Sequence, residues 1–166
     1  MSDADETAAD DISDPSEMQT AESEAAVVAP DAQFRVMDAV SVTYDLADAS
    51  PHVHLMESEA PYRNLSIPIG LADAVALHQA MERVEGRRPG IHELTSQILG
   101  RLQADVVAAR IVRVDGGVFY AELDLMSPRG REVIDCRTSD AIILALRQRV
   151  TSPILCAEDV LADANA

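Results

Sequence analysis

The sequence of 166 residues contains no tryptophan and no lysine, and it has only two phenylalanines and three tyrosines. So few aromatic rings exclude a surface on which several bases stack, as single-strand binding proteins use. The absence of lysine excludes the nuclease signatures that require one. No apolar run is long enough to span a membrane, and no basic start precedes an apolar stretch. We therefore expect a cytoplasmic protein that does not bind a membrane.

Cysteine is scarce as well. Cys136 and Cys156 lie far apart in the sequence and match no metal-binding or redox spacing. We interpret both as small apolar residues rather than as a disulfide pair, which fits a reducing compartment.

Basic residues are missing from the first part of the chain. Residues 1–33 contain ten acidic residues, no basic residue and few branched apolar residues, a composition that predicts a disordered acidic tail. From Phe34 onward, the chain contains 19 acidic residues and 13 arginines, a net charge of −6. This part therefore lacks the excess of basic residues with which proteins bind duplex nucleic acids tightly. Its length suits one domain, which we place at residues 34–163.

Apolar periodicity predicts the secondary structure of this domain. Alternation of apolar and polar residues predicts strands at 34–44, 52–58, 63–69, 104–114, 118–125, 131–137 and 153–157. Helical spacing predicts helices at 71–85, 91–102 and 139–149, with a last helical turn at 158–163. Residues 115–117, Asp-Gly-Gly, predict a tight hairpin. The pattern indicates a single compact α/β (mixed α+β) domain with a mixed, largely antiparallel sheet and about three main helices.

The helix at 91–102 has the clearest apolar stripe, formed by Ile91, Leu94, Ile98 and Leu102. We expect this stripe to be buried, so that Ile98→Ala destabilises the fold by roughly 2 to 5 kcal/mol. In the preceding helix His78 lies on the apolar positions, which predicts a half-buried core histidine.

A polar group is predicted where the strand at 131–137 meets the next helix. Asp135 and Arg137 are two residues apart and so share a strand face, and Asp140 follows in the first helical turn. With the hydroxyls of Thr138 and Ser139, these groups could hold a divalent ion or a phosphate at a helix N-terminus. The alternative is structural: a hydroxyl caps the helix, Asp140 complements its dipole, and Asp135 pairs with Arg137.

A second polar position lies at the start of the helix at 91–102. His92 is in its first turn, and Arg88 precedes it in the connection. The helix N-terminus could hold a phosphate there, with His92 as proton donor or acceptor. The alternative is an exposed histidine beside a tight turn.

Four segments, read together, resemble the bifunctional nuclease family. The run from Ile134 to Ile142, IDCRTSDAI, is similar to the strand-to-helix signature D-x-R-P-S-D-A-I of that family. The other segments are residues 63–70, Arg88-Pro89 followed by His92, and residues 119–121, and residues 153–154 stand where the family has its last strand. Thr138 replaces the usual proline, and Ile143 replaces a usually small residue.

The resemblance implies a nuclease that hydrolyses phosphodiester bonds in RNA or DNA. We expect a divalent metal, Mg²⁺ or Mn²⁺, to assist, with Asp135 and Asp140 as its ligands and as catalytic residues. Arg137, Arg88 and Ser139 are expected to bind the substrate phosphate, and His92 to assist proton transfer as the third catalytic residue. We also expect a homo-oligomer. The alternative is a non-catalytic binding or regulatory module that oligomerises and uses the polar group only as a structural ion pair.

Overall fold

The computed structural model describes residues 33–47 and 49–166, and the predicted acidic tail lies outside them, except for Gln33. Along the chain the strands are β1 (Phe34–Asp45), β2 (Ser50–Glu57), β3 (Asn64–Pro68), β4 (Asp105–Asp115), β5 (Val118–Ser127), β6 (Gly130–Arg137) and β7 (Ile154–Ala157). The helices are α1 (Leu71–Met81), α2 (Ile91–Arg101), α3 (Thr138–Leu146) and α4 (Glu158–Asp163).

The seven strands form one sheet in the order β3-β2-β1-β7-β4-β5-β6. All neighbouring strands of the described residues run antiparallel except β4 and β7. The short strand β7 therefore joins two antiparallel three-stranded units, β1 to β3 and β4 to β6. This arrangement confirms the mixed, largely antiparallel sheet that the sequence predicts.

The hydrophobic core lies on one face of the sheet. The pairings Val53↔Ile67 and Ala109↔Leu123 place buried apolar residues opposite each other in both halves of the sheet. Residues of α1, α3 and α4 belong to the same buried cluster. The helices therefore cover the apolar face of the sheet and form a second layer.

Two features of the sequence explain the path of the chain around this core. Gly116 and Gly117 form the two-residue β4–β5 turn with φ of 56° and 82°, a conformation that favours glycine at both positions. Helix α3 is the central helix, and its residues from Ala141 to Ala145 are all buried. An unbroken apolar run suits a helix that packs against β4, β5 and β6 and also contacts α1 and α2.

An ion-pair cluster fastens α4 to the first half of the sheet. The Arg63 guanidinium binds Glu57 (Nε to Oε2, 3.0 Å) and Glu158 (Nη1 to Oε1, 2.6 Å). Arg35 Nε donates to Glu158 Oε2 at 2.7 Å. Two arginines hold the pKa of Glu158 at about 2, mainly through the hydrogen bonds from Arg63 and then Arg35. The cluster links β1, β2, the start of β3 and α4 through charge-assisted hydrogen bonds.

The expected burial of the α2 residues is wrong. Ile91 is 70% exposed, Leu94 44%, Ile98 49% and Leu102 66%, and α2 contains no buried residue. The side of α2 that faces the protein carries half-buried residues, all polar except for one leucine. They are His92, Glu93, Thr95, Ser96 and Leu99. The amphipathic pattern is real, but its polar side faces inward because it meets polar groups at the start and end of α3.

The expected burial of His78 is also wrong. Helix α1 ends at Met81, four residues earlier than predicted, and it buries Ala74, Leu77 and Ala80. His78 lies about 100° around the helix from Leu77 and is exposed. The buried side of α1 is therefore rotated by about one residue from the predicted side.

Both cysteines lie within the described residues and are free thiols, as the sequence predicts. Burial raises the pKa of Cys136 to about 11 and that of Cys156 to about 12. A thiol with such a pKa is protonated at neutral pH and is a poor nucleophile. Within the described residues, no helix combines the length and the hydropathy that crossing a membrane requires.

Candidate functional site

Arg137 occupies the junction between β6 and α3 and contacts two carboxylates. Its Nε and Nη2 donate to Asp140, each at 2.8 Å, and Nη1 and Nη2 donate to Asp73 at 3.0 and 3.2 Å. The side chain is nevertheless 65% exposed. Two carboxylates thus fix the orientation of a guanidinium that solvent, or a ligand, can still reach.

Asp73 enters this group from the first turn of α1. Ser139 Oγ also donates to Asp73 Oδ2, at 3.3 Å. The sequence suggested no role for Asp73, because an aspartate in a first helical turn is common as a dipole partner. Its contact with Arg137 joins residues 64 positions apart, and the spacing along the chain contains no sign of it.

His92 completes the group from α2. Its Nε2 lies 2.8 Å from Asp140 Oδ1, and its side chain is 11% exposed. Partial burial works to raise the pKa of Asp140, but the hydrogen bonds from Arg137 and His92 outweigh it and lower the pKa. Asp140 is therefore ionised at neutral pH and can only accept, so the proton in this hydrogen bond lies on Nε2 of His92. We call Asp73, His92, Arg137 and Asp140 the arginine corner.

Glu93 fixes the turn of α2 that presents His92. Its carboxylate accepts from the backbone N–H of Gly90 at 2.8 Å and of Gly86 at 3.3 Å, and it pairs with Arg147 Nη1 at 3.0 Å. These contacts, the Gly90 bond foremost, hold the pKa of Glu93 below its usual range. The capping interaction thus attaches the start of α2 to the end of α3.

Two cavities adjoin the arginine corner. The larger, of about 300 Å³, lies between the β3–α1 connection and the β4–β5 turn and is lined by residues that include Gly70, Phe119 and Ser139. The smaller, of about 170 Å³, lies between α1 and α2 and is lined by residues that include Ala76 and His92. Asp73 and Arg137 line both cavities. A ligand that extends from one to the other therefore passes Arg137.

The hydroxyls before Asp140 do not cap α3. Thr138 is the first helical residue, and its Oγ1 donates to the carbonyl of Phe119 at 3.0 Å. Ser139 donates to Asp73, and the N-cap residue is Arg137, which makes no side-chain capping bond. The interpretation of Thr138 or Ser139 as a cap is therefore wrong. Both are buried and connect α3 to β5 and α1.

Two of the proposed site residues make no hydrogen bond or ion pair with the arginine corner among the described residues. Asp135 is exposed on β6 opposite Glu122 of β5, and Glu122 is buried and paired with Arg110 at 2.8 Å. Arg88 is exposed in the α1–α2 connection. Arg137 pairs with Asp73 and Asp140 among the described residues, rather than with Asp135. The functional roles of Asp135 and Arg88 stay predictions.

The carboxylates as placed do not fit the expected metal. Within the described part of the chain, no three His, Cys, Asp or Glu side chains are grouped as metal ligands. Asp73 and Asp140 both use their oxygens to bind Arg137, whose positive charge occupies the space between them. A cation there would have to displace a guanidinium held by four hydrogen bonds, so we derive no reaction step through a metal.

The family model of the bifunctional nuclease domain matches residues 53–166, more than half of the chain. The chain belongs to the bifunctional nuclease domain family. The matched region contains all four residues of the arginine corner.

Two uncharacterized proteins of Mycobacterium tuberculosis, from strains CDC 1551 and H37Rv, are similar to this bifunctional nuclease domain protein. Each is 38% identical over 103 residues, which is 62% of this chain and 60% of the relative. The match thus spans less than two thirds of either relative.

Proposed function

We propose that the chain is a phosphodiester hydrolase that acts on RNA or DNA at the arginine corner. The observation that carries the proposal is the contact of His92 and Arg137 with the same carboxylate, Asp140, within the region that matches the bifunctional nuclease domain. The site combines a group that can move a proton with a cation that can bind a phosphate. These are two requirements of phosphodiester hydrolysis.

Arg137 is proposed to bind the scissile phosphate. Its planar guanidinium matches two phosphoryl oxygens, and its orientation is fixed before the substrate arrives. The substrate must compete with Asp73 for Nη1 and Nη2, because these atoms bind Asp73 in the free protein. Asp140 can keep its hydrogen bond to Nε, which holds the Arg137 side chain in place. Nη1 and Nη2 can then donate to the phosphate.

His92 is proposed to act as the general base. Asp140 fixes the tautomer with the proton on Nε2, which leaves Nδ1 to accept a proton from the attacking water. Asp140 also stabilises the imidazolium that forms, as a carboxylate does beside a catalytic histidine. His92 and Arg137 line the same smaller cavity, which gives a substrate and its attacking water access to both side chains.

The cavities support a single strand as substrate. A volume of about 300 Å³ suits one nucleoside beside Arg137, and the space between α1 and α2 is smaller still. A base in a duplex must first be unpaired and unstacked, which costs free energy. A strand that is already single therefore enters the cavity more easily.

The test compares three variants on single-stranded RNA and single-stranded DNA. We expect His92→Gln and Asp140→Asn to lose roughly 10²- to 10⁴-fold in kcat with unchanged melting curves. Asp135→Asn is the matched control, since Asp135 is an exposed aspartate of the same segment. Each protein is assayed in EDTA and with Mg²⁺ or Mn²⁺, which also tests the expected metal.

Three results would count against the proposal. Equal cleavage by wild type and Asp140→Asn removes Asp140 from the reaction. Loss of activity in Asp135→Asn, but not in the other two variants, would place the reaction at Asp135 on β6 and not at the arginine corner. No cleavage by the wild type in any metal favours the alternative of a binding or regulatory module.

A further inference from the structure

Helix α2 carries its apolar residues on the side that faces away from the protein. We call Ile91, Leu94, Ile98 and Leu102 the α2 stripe, and all four are exposed by 44% or more. The opposite side holds His92 and Glu93, which bind Asp140 and Arg147. A surface helix of a monomer has the reverse arrangement, with apolar residues inward.

The α2 stripe is continuous with a further apolar surface. Leu102 also lines a groove of about 370 Å³ whose walls include Leu99, Ala104, Leu125 and Ile134. Ile134 belongs to β6, which is an outer strand of the sheet. The exposed apolar surface therefore runs along α2 and reaches a sheet edge whose backbone groups are open to pairing.

We propose that the α2 stripe is the interface of a homodimer, in which the stripe of one protomer packs against the stripe of a second copy. Four aliphatic side chains exposed to this extent form an apolar patch of roughly 400 Å², about the largest that a typical monomer carries. A standard interface takes about 800 Å² from each partner, so the proposed dimer must also bury the groove and the polar residues around the stripe.

A second copy fits this surface better than the acidic N-terminal segment does. Residues 1–33 contain ten acidic residues and few large apolar ones, so they offer little to an aliphatic stripe. A two-fold axis brings identical apolar patches together, as isologous dimers require. Antiparallel packing of two copies of α2 also sets their helix dipoles in opposition, which is favourable.

The test measures the mass of the full chain in solution by light scattering. We expect a dimer of about twice the 17.9 kDa protomer. The double variant Ile98→Gln and Leu102→Gln should become monomeric and keep its far-ultraviolet circular dichroism, since both residues are exposed in the protomer. The control Leu46→Gln, in the β1–β2 turn, replaces a leucine that is still more exposed, at 88%, and should remain dimeric.

A cysteine variant keeps the test decisive even if the double variant fails to fold. Oxidised Ile98→Cys should form a disulfide-linked dimer, whereas Leu46→Cys should not. A monomeric wild type at submillimolar concentration overturns the proposal, and so does a dimer that Ile98→Cys cannot cross-link. Neither measurement uses nuclease activity, so this inference stands or fails independently of the proposed function.

Discussion

At the scale of single residues, Arg137 shows how the site depends on partners that are distant in sequence. Asp140 is three positions away and could be paired with Arg137 from the sequence. Asp73 and His92 come from two other helices, and only the packing of α1 and α2 against α3 brings them to Arg137 and Asp140. The sequence therefore indicated three members of the arginine corner, and only the fold adds Asp73.

Asp73→Asn tests the electrostatics of the arginine corner. The asparagine keeps an oxygen that can accept from Arg137 but removes one negative charge beside the phosphate site. We expect KM for single-stranded RNA to fall by roughly two- to fivefold at low salt, since a charge paired with a largely exposed guanidinium contributes about 0.5 to 1 kcal/mol. The change in kcat should be small. Added salt should reduce the difference, and a higher KM would mean that the charge of Asp73 is needed to orient Arg137.

At the scale of elements, one substitution on the buried side of α1 and one on its exposed side test how the helix packs. Leu77→Ala in α1 removes a fully buried side chain and should lower the free energy of unfolding by about 2 to 5 kcal/mol. Val75→Ala on the exposed side of the same helix should change it by less than about 0.5 kcal/mol. Urea titration measures both. Similar losses in the two variants would show that Leu77 does not face the core and that the buried side of α1 is a different one.

The ion-pair cluster at α4 predicts a pH dependence of stability. The pKa of Glu158 is about 2 in the folded protein and ordinarily 4.5, so the folded state binds the proton less tightly than the unfolded state does. The stabilisation is therefore complete above about pH 4.5 and is lost as the pH falls towards 2. Thermal melts across this range should show a smaller acid-induced decrease in Tm for Glu158→Gln than for wild type. Parallel curves for the two proteins would contradict the role of Glu158.

At the scale of the whole molecule, the sequence predicted the elements better than their arrangement. Alternation and glycine placement located all seven strands and the β4–β5 turn, because these signals are local. Nothing local places β7 between β1 and β4, since its register depends on partners more than 40 residues away. The predicted burial of the α2 stripe was wrong for a related reason. Periodicity shows that a helix has an apolar side, but it does not show which surface, if any, covers that side.

The uneven charge of the chain predicts an effect of its first 33 residues on nucleic-acid binding. Their ten acidic residues repel phosphate and compete for the arginines of the rest of the chain. Deleting residues 1–33 should tighten binding to single-stranded RNA at low salt, and rising salt should bring the two affinities together. A full-length control with these acids changed to Asn and Gln should match the deletion. Equal affinities of all three proteins across a salt titration would show that the acidic residues do not affect nucleic-acid binding.

The central position of β7 has a consequence for how the protein is made. Of the seven strands that the structure describes, β7 is the last to be synthesised, yet the sheet is continuous only through it. Until residue 157 clears the exit tunnel, the nascent chain can form only two separate sheets, and β1 and β4 each keep one edge unpaired. Open edges of this kind pair readily with neighbouring chains. We expect chains that lack the four residues of β7 to associate through these edges more readily than the full chain does, which light scattering at equal concentration would show.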